Sequence, residues 1–141
     1  MKKTIFSSLI AMLLITSLSV LTSSCKKDTM VAPSELIVGT WDATSLTSEE
    51  EEFLVPGSGL TLVMQFDAYS EISGSKFTWT FTYVGEIPEV QTGTYALSSD
   101  GKVLTLRDST TLDLTVIDVK TLDDKRIKFG DYFQTIEATK R

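Results

Sequence analysis

The chain has 141 residues, 13 of them basic and 19 acidic, and it contains no histidine. This acidic balance disfavours a nucleic-acid partner, because phosphates are bound by Lys and Arg. The lack of histidine removes the commonest general base and the commonest transition-metal ligand, so we expect no enzyme, no metal site and no cofactor.

The first 24 residues have the order basic, apolar, small. Lys2 and Lys3 are followed by 17 uncharged residues, Ile5 to Leu21, and then by Thr22-Ser23-Ser24. This order is typical of a secretory signal peptide. We therefore predict that residues 1–24 are a signal and that the mature protein lies outside the cytoplasm.

Cys25, the only cysteine of the chain, directly follows these small residues. Its position resembles the lipobox of bacterial lipoproteins, although Thr22 stands where that box usually has an aliphatic residue. The resemblance implies that the signal is cut before Cys25, that the thiol is lipidated and that the new amino end is acylated, for instance with palmitate. It further implies a location in the cell envelope, lipid-anchored at the outer membrane of a Gram-negative bacterium.

Three other interpretations of this segment stay open. A plain signal peptide would leave Cys25 as a free thiol, the apolar run could remain as a short anchor in a bilayer of about 30 Å, or Cys25 could pair with another chain.

We predict residues 25–34 as lipidated cysteine and tether, and residues 35–141 as one domain. Without Lys2 and Lys3, 11 basic residues face 19 acidic ones, a formal charge of −8, which disfavours electrostatic attachment to anionic lipid.

The domain is dominated by alternation with a period of two. In residues 60–66 and 76–83 every second side chain is apolar, and threonines fill the other face of the second segment. Such alternation predicts strands with one buried face. We predict eight strands in chain order: 36–46, 60–66, 76–83, 89–97, 102–108, 112–119, 126–129 and 132–139.

Two details of this assignment concern irregular segments. Residues 47–59 contain Glu49 to Glu52 and are interpreted as a solvated loop, because adjacent like charges repel. In residues 112–119 the apolar positions change phase at Ile117, which predicts a bulge. Eight short antiparallel strands favour an all-β fold, an eight-stranded up-and-down barrel, with a β-sandwich as the alternative.

The first strand carries the sequence Gly39-Thr40-Trp41. Gly-x-Trp at this place resembles the first-strand signature of the lipocalin and fatty-acid-binding families, and the chain is similar to the lipocalin-like domains of bacterial lipoproteins. The resemblance implies that Trp41 closes the base of the barrel beside Gly39, with a basic side chain, Arg126 or Lys140, stacked over the ring. Ordinary core filling by Trp41 is the other interpretation.

Aromatic residues are the candidate ligand site. A stripe on the third strand could line an apolar cavity for a small apolar or amphipathic ligand, with tyrosine hydroxyls as polar groups. The alternative is a core filled by these rings, which would favour a structural or interaction protein of the envelope with an unknown protein partner. The candidate ligand-binding residues are Phe77, Trp79, Phe81, Tyr83 and Tyr95.

Two patterns that resemble catalytic or metal sites are set aside. Asp108, Asp113 and Asp118 recur at odd spacing, which places neighbours on opposite faces of a strand. Ser58 lies between two glycines, but the chain has no histidine to activate it. Both patterns are interpreted as turns and solvated faces.

Attachment through Cys25 can be tested by Cys25→Ser. We expect this variant to be released from the membrane or left unprocessed, because the lipobox chemistry requires the thiol. Metabolic labelling with radioactive palmitate, followed by membrane fractionation, measures both effects. Retention of label and of membrane binding by the variant would contradict the assignment.

Overall fold

The computed structural model describes residues 30–48, 51–131 and 133–141. The predicted signal, Cys25 and most of the predicted tether lie outside these residues. Val31–Arg141 form one compact unit. This unit contains all the strands described below and a core of its own, so we expect it to fold without the preceding residues.

One short helix and nine strands make up the described part of this unit. The helix α1 spans Pro33–Leu36 and has proline at its first turn, where the missing N–H costs nothing. The strands are β1 (Gly39–Ser48), β2 (Glu51–Leu54), β3 (Leu60–Phe66), β4 (Lys76–Tyr83), β5 (Glu89–Leu97), β6 (Val103–Asp108), β7 (Leu114–Leu122), β8 (Arg126–Gly130) and β9 (Gln134–Lys140).

Eight of these strands form a closed antiparallel barrel. From β3 to β9 each strand pairs with the next one along the chain, β1 pairs with β3, and β9 returns to pair with β1. The predicted eight-stranded up-and-down barrel is therefore confirmed, and the sandwich is not formed. Closure leaves these eight strands without an open sheet edge.

The additional strand β2 corrects the interpretation of residues 47–59 as a solvated loop. Its residues pair with Ser45–Ser48 of β1, while β3 pairs with Gly39–Asp42 along the same side of that strand. All four β2 side chains are exposed. Like charges did not prevent the strand, because its backbone bonds to β1 while the carboxylates of Glu51 and Glu52 stay in water.

We call the end at which β1 begins the base, and the end at which β1 finishes the mouth. The first strand starts later than predicted, at Gly39 and not at Leu36, because Leu36 belongs to α1. Pro33 of α1 lies against Gly101 in the turn between β5 and β6, at the base. The described chain therefore enters the barrel at the base, opposite the mouth.

The large core side chains alternate along the strands as the sequence predicts. Trp41, Met64 and Trp79 are cross-strand partners on β1, β3 and β4 and form one row across the interior. The side chains that are less than 2 % exposed are Trp41, Phe66, Phe77, Phe129, Ile37, Leu62, Met64, Leu104 and Ile127.

The phase of β7 differs from the expectation. Leu114 and Val116 are each 67 % exposed, whereas Val119 is buried. The shift in register falls between Val119 and Thr121 and not at Ile117. A strand with alternating side chains has two faces. Packing against the neighbouring strands places the face that carries Ile117 inward.

Three side-chain contacts close the base. The Trp41 Nε1–H donates to the carbonyl of Ile37 at 2.8 Å, and the ring is fully buried. Lys140 Nζ lies 5.1 Å from the centroid of the Trp41 ring and donates to the Leu36 carbonyl at 3.0 Å. The structure thus places Lys140 over the tryptophan, while Arg126 pairs with Asp123.

Gly39 is required by this arrangement for two reasons. Its φ is +133°, a backbone conformation that residues with a side chain rarely adopt. A Cβ at this position would lie 2.7 Å from Lys140 Cε. Any larger residue would therefore displace the lysine that stacks on Trp41.

We expect Trp41→Ala to lower the free energy of unfolding by about 3–5 kcal/mol, because it removes a buried ring and leaves a cavity. Gly39→Val should also destabilise the barrel, through backbone strain and the clash with Lys140. Denaturant midpoints measure both effects, with Ile72→Ala, at a side chain that is 99 % exposed, as the control. Midpoints equal to that of the control would contradict this account of the base.

Candidate functional site

The mouth half of the barrel contains a cavity of about 430 Å³. This volume falls in the lower part of the range for small-molecule sites, roughly 300–1,000 Å³. Thr115, Val116 and Asp131 are exposed and also line the cavity, so it opens to solvent at the mouth. The full lining consists of Leu46, Thr47, Ser48, Phe53, Trp79, Phe81, Thr115, Val116, Ile117, Phe129, Gly130, Asp131, Gln134, Thr135 and Ile136.

Side-chain size explains why the base is filled and the mouth is not. Around the base the inward positions carry large residues such as Trp41, Phe66 and Phe77. At the mouth, the lining includes Ser48, Gly130 and three threonines. These small side chains leave space that the rings lower in the barrel would occupy.

A register shift in β1 contributes to the same result. The pairing of β1 with β9 shifts between Ala43 and Ser45. Trp41 and Ala43 are buried before the shift, and Leu46 and Ser48 line the cavity after it. The shift places Leu46 opposite Ile136 of β9, and both residues line the cavity.

Trp79 is the largest side chain that lines the cavity. It is 7 % exposed, stacks on Phe129 with centroids 5.8 Å apart, and meets Phe81 edge-on at 6.4 Å. Its Nε1 is buried and has no hydrogen-bond partner among the residues that the structure describes. An aromatic cluster therefore borders the cavity, and the N–H of Trp79 is buried and does not face the open space.

The nearest cross-strand polar residue does not serve this donor. Gln91 of β5 is the register partner of Trp79 and lies on the same face. Its Nε2 donates to the Asp108 carboxylate at 3.0 Å, and its Oε1 accepts no hydrogen bond from Trp79. The Asp108 Oδ1 in turn accepts the backbone N–H of Thr110 and Thr111, so this network is directed to the turn after β6.

Among the described lining residues, Asp131 is the one that carries a charge. The backbone N–H groups of Gln134 and Phe133 donate to its carboxylate, each at 2.7 Å, and hold its pKa below the ordinary value of 3.8. Lys120 Nζ donates to the Asp131 carbonyl and to Thr135 Oγ1, each at 3.1 Å. The rim of the cavity thus carries an ionised carboxylate with a lysine beside it.

The structure places only two of the five candidate ligand-binding residues at the cavity, Trp79 and Phe81. Phe77 is fully buried nearer the base, where a Cβ on Gly93 would lie 2.7 Å from its ring. Tyr83 is 46 % exposed at the mouth end of β4. Tyr95 points to the base, where its hydroxyl donates to the Asp67 carbonyl at 2.8 Å.

The other lining residues were not identified from the sequence as a site. Leu46, Phe129 and Ile136 lie in predicted strands, but they meet only because β9 closes onto β1 and β8. Ile117 was noted only as a phase change. No local signal marks these residues, since each has the pattern of an ordinary core position.

Two further features bear on the chemistry of the described residues. Within 30–48, 51–131 and 133–141, no group of three Asp, Glu, His or Cys side chains could hold a metal ion. In the same part of the chain, no helix has the length and apolar character needed to cross a bilayer. Asp108 and Asp123 each accept backbone N–H groups of their own turns.

No protein-family model, no curated protein and no solved structure matches this chain. The fold and the cavity define its class: a small closed β-barrel with a filled base and an apolar cavity at the mouth.

The capping role of Asp131 predicts an acid-sensitive turn at the mouth. Because its pKa is lowered in the folded protein, its stabilisation is present above about pH 3.8 and is lost as the pH falls through the lower folded value. Asp131→Asn should therefore reduce the denaturant midpoint at pH 7 more than at pH 3. Parallel pH profiles for the variant and the wild type would contradict this.

Proposed function

We propose that the protein is a non-enzymatic, lipid-anchored lipoprotein whose barrel binds one small apolar or amphipathic ligand in the mouth cavity. The observation that carries the proposal is the cavity of about 430 Å³ lined by Trp79, Phe81 and Phe129. Eight-stranded barrels have room for side chains or for one small ligand. In this barrel, side chains fill the interior at the base, and the interior at the mouth stays open.

The driving force for binding would be the burial of apolar surface, about 25 cal/mol per Å². Leu46, Ile117 and Ile136 supply aliphatic walls beside the rings. Three threonines and Ser48 also line the cavity and can contact a polar end of the ligand. The composition suits an occupant that is apolar at one end and tolerates water at the other.

The order basic, apolar, small, followed directly by Cys25, supports the anchoring part of the proposal. A cysteine carrying both thioether-linked and N-linked acyl chains would provide the two signals that stable attachment requires.

A second candidate function is an interaction protein of the envelope. The observation in its favour is a set of exposed apolar residues near the mouth, including Leu54 at 66 %, Val84 at 85 % and Ile87 at 91 %. Scattered apolar residues are normal on protein surfaces, but several here lie at one end of the barrel. This function would need no empty cavity, whereas the first function requires one.

Binding can be tested with a fluorescent fatty-acid dye and the chain from residue 26 onward. We expect saturable binding of one dye per chain, with quenching or a shift of tryptophan emission from Trp79. Thr115→Trp should abolish binding, because Thr115 lines the cavity and pairs with Leu106 on the inward face. Absence of binding to the wild type would favour the interaction protein.

The matched control is Val90→Trp, which adds the same ring to an outer position that is 56 % exposed. We expect it to leave dye affinity unchanged. Equal loss in both variants, or no loss in Thr115→Trp, would contradict binding in the mouth cavity. Circular dichroism of each variant verifies that the barrel is formed.

A further inference from the structure

The wall of the barrel carries a second cavity, a groove of about 530 Å³ that spans β4, β5 and β6. Lys76, Thr92, Thr94 and Arg107 line this groove and are exposed, so it lies on the outside of the barrel. Among the described residues, none lines both this groove and the mouth cavity. We call it the outer groove, and it is independent of the proposed ligand site.

Two cationic side chains flank the middle of the outer groove. Thr94 of β5 pairs with Lys76 of β4 on one side and with Arg107 of β6 on the other. Neighbouring strands lie about 4.8 Å apart, so the backbones of the two cationic residues are about 10 Å apart, with Thr94 between them. In the part of the chain that the structure describes, neither Lys76 nor Arg107 forms an ion pair. Both side chains are therefore available to an anion placed over Thr94.

Hydroxyl groups form a second row beside the cations. Thr78 of β4 pairs with Thr92 of β5, and Thr92 Oγ1 lies 2.9 Å from Ser109 Oγ. All three residues line the outer groove. Because a hydroxyl can both donate and accept hydrogen bonds, this row suits a ligand that itself carries several hydroxyls.

Two carboxylates, Asp67 and Asp108, also line the outer groove and balance the charge of the two cations. Asp67 Oδ1 accepts the Gln65 amide at 2.9 Å, and Asp108 Oδ1 accepts backbone N–H groups of its own turn. A bare anion or a polyanion would be attracted by the cations and repelled by the carboxylates. A hydroxylated ligand can instead donate to the carboxylates. The mixed charge therefore favours a ligand with one anionic group and several hydroxyls.

Leu112 adds an apolar surface to the same groove. It is 62 % exposed, and among the described residues it is the one non-glycine with a positive φ, +64°. This backbone conformation is rare for a leucine, and strain of this kind is concentrated at functional sites. Leu112 therefore offers an exposed apolar contact beside the polar rows.

We propose that the outer groove binds an acidic sugar, a saccharide unit that carries one sulfate, phosphate or carboxylate group. The oxyanion lies over Thr94 and accepts charge-assisted hydrogen bonds from Lys76 and Arg107. The sugar hydroxyls bond to the threonines and to Asp67, and a C–H face of the ring packs on Leu112. This second site goes beyond the proposed function and does not depend on it.

Four probes test this combination: glucuronate, glucose monosulfate, glucose and inorganic sulfate. Each is titrated at pH 7 into the isotope-labelled chain from residue 26 onward, and the backbone amide resonances are followed by NMR. We expect at least one acidic sugar to shift the amides of Thr94 and Arg107 and to saturate them. Glucose and inorganic sulfate should require concentrations about tenfold higher or more, which corresponds to about 1.4 kcal/mol.

Lys76→Gln and Arg107→Gln remove the two cations one at a time. Each should weaken binding of the acidic sugar about tenfold, because the oxyanion loses a charged donor. Lys102→Gln is the matched control, since it removes an exposed lysine that does not line the groove, and it should leave the affinity unchanged. Denaturant midpoints verify that the three variants are folded.

The outcomes separate the acidic sugar from simpler ligands. The proposal is overturned if neither acidic sugar binds, if glucose binds as tightly as the acidic sugars, or if the three lysine and arginine variants weaken binding equally. Inorganic sulfate binding as tightly as glucose monosulfate would identify an adventitious ion only, and would also overturn it.

Thr115→Trp, which fills the mouth cavity, distinguishes the two sites. It should abolish binding of the fatty-acid dye and leave binding of the acidic sugar unchanged, because Thr115 lines the mouth cavity and not the outer groove. Loss of sugar binding in this variant would place the sugar in the mouth cavity and overturn the inference. Failure of the dye to bind the wild type would overturn the proposed function alone.

Discussion

The barrel depends on the pairing of its first and last strands, β1 with β9. Trp41 and Lys140 are register partners in that pairing, and the lysine both stacks on the indole and bonds to the carbonyl of Leu36. One side chain thus connects the last strand, the first strand and the helix that precedes it. A cation over an aromatic face contributes about 0.5–2 kcal/mol, more when it is shielded from water.

Asp42 and Arg141, which follow Trp41 and Lys140 in the chain, connect the same two strands at the surface. Arg141 donates to both carboxylate oxygens of Asp42 at 2.7 Å, and this lowers the pKa of Asp42. The pair is largely exposed, so its contribution is small compared with that of the buried ring. Most of the energy of closure therefore comes from burial around Trp41 and from the backbone ladder between the two strands.

Closure at the base allows the other end of the barrel to remain partly empty. Once the filled base holds the strands in a ring, side chains at the mouth no longer have to meet across the centre. Ser48 and Thr135 can then be small without loss of the fold. The filled core that stabilises the barrel therefore lies at the base, and the cavity lies at the mouth. The Trp79 ring lies between the two.

The buried N–H of Trp79 has no hydrogen-bond partner among the described residues. A residue that fills a core needs no donor, and a phenylalanine at this position would preserve the ring contacts with Phe81 and Phe129. Functional sites are where local rules of polar satisfaction are most often broken. Among the described residues, the interior of this barrel breaks the rule at Trp79 and obeys it at Trp41.

The sequence by itself determined the fold class, because alternation with a period of two predicts strands wherever one face is buried. It also identified Leu62, Met64 and Phe66 as one inward face, as observed. It did not identify β2, since backbone pairing with β1 does not require an apolar pattern. Nor did it assign the inward face of β7, because a period of two defines two faces and leaves the choice to the neighbouring strands.

Only the tertiary structure decided which rings border empty space. Phe77, Trp79, Phe81 and Tyr83 have the same spacing in the sequence, yet only Trp79 and Phe81 line the cavity. Whether a ring meets another side chain or a void depends on what faces it from β1, β8 and β9, far away in the chain. The register shift after Ala43 and the closure of β9 onto β1 set those facing residues, and neither has a local signal in the sequence.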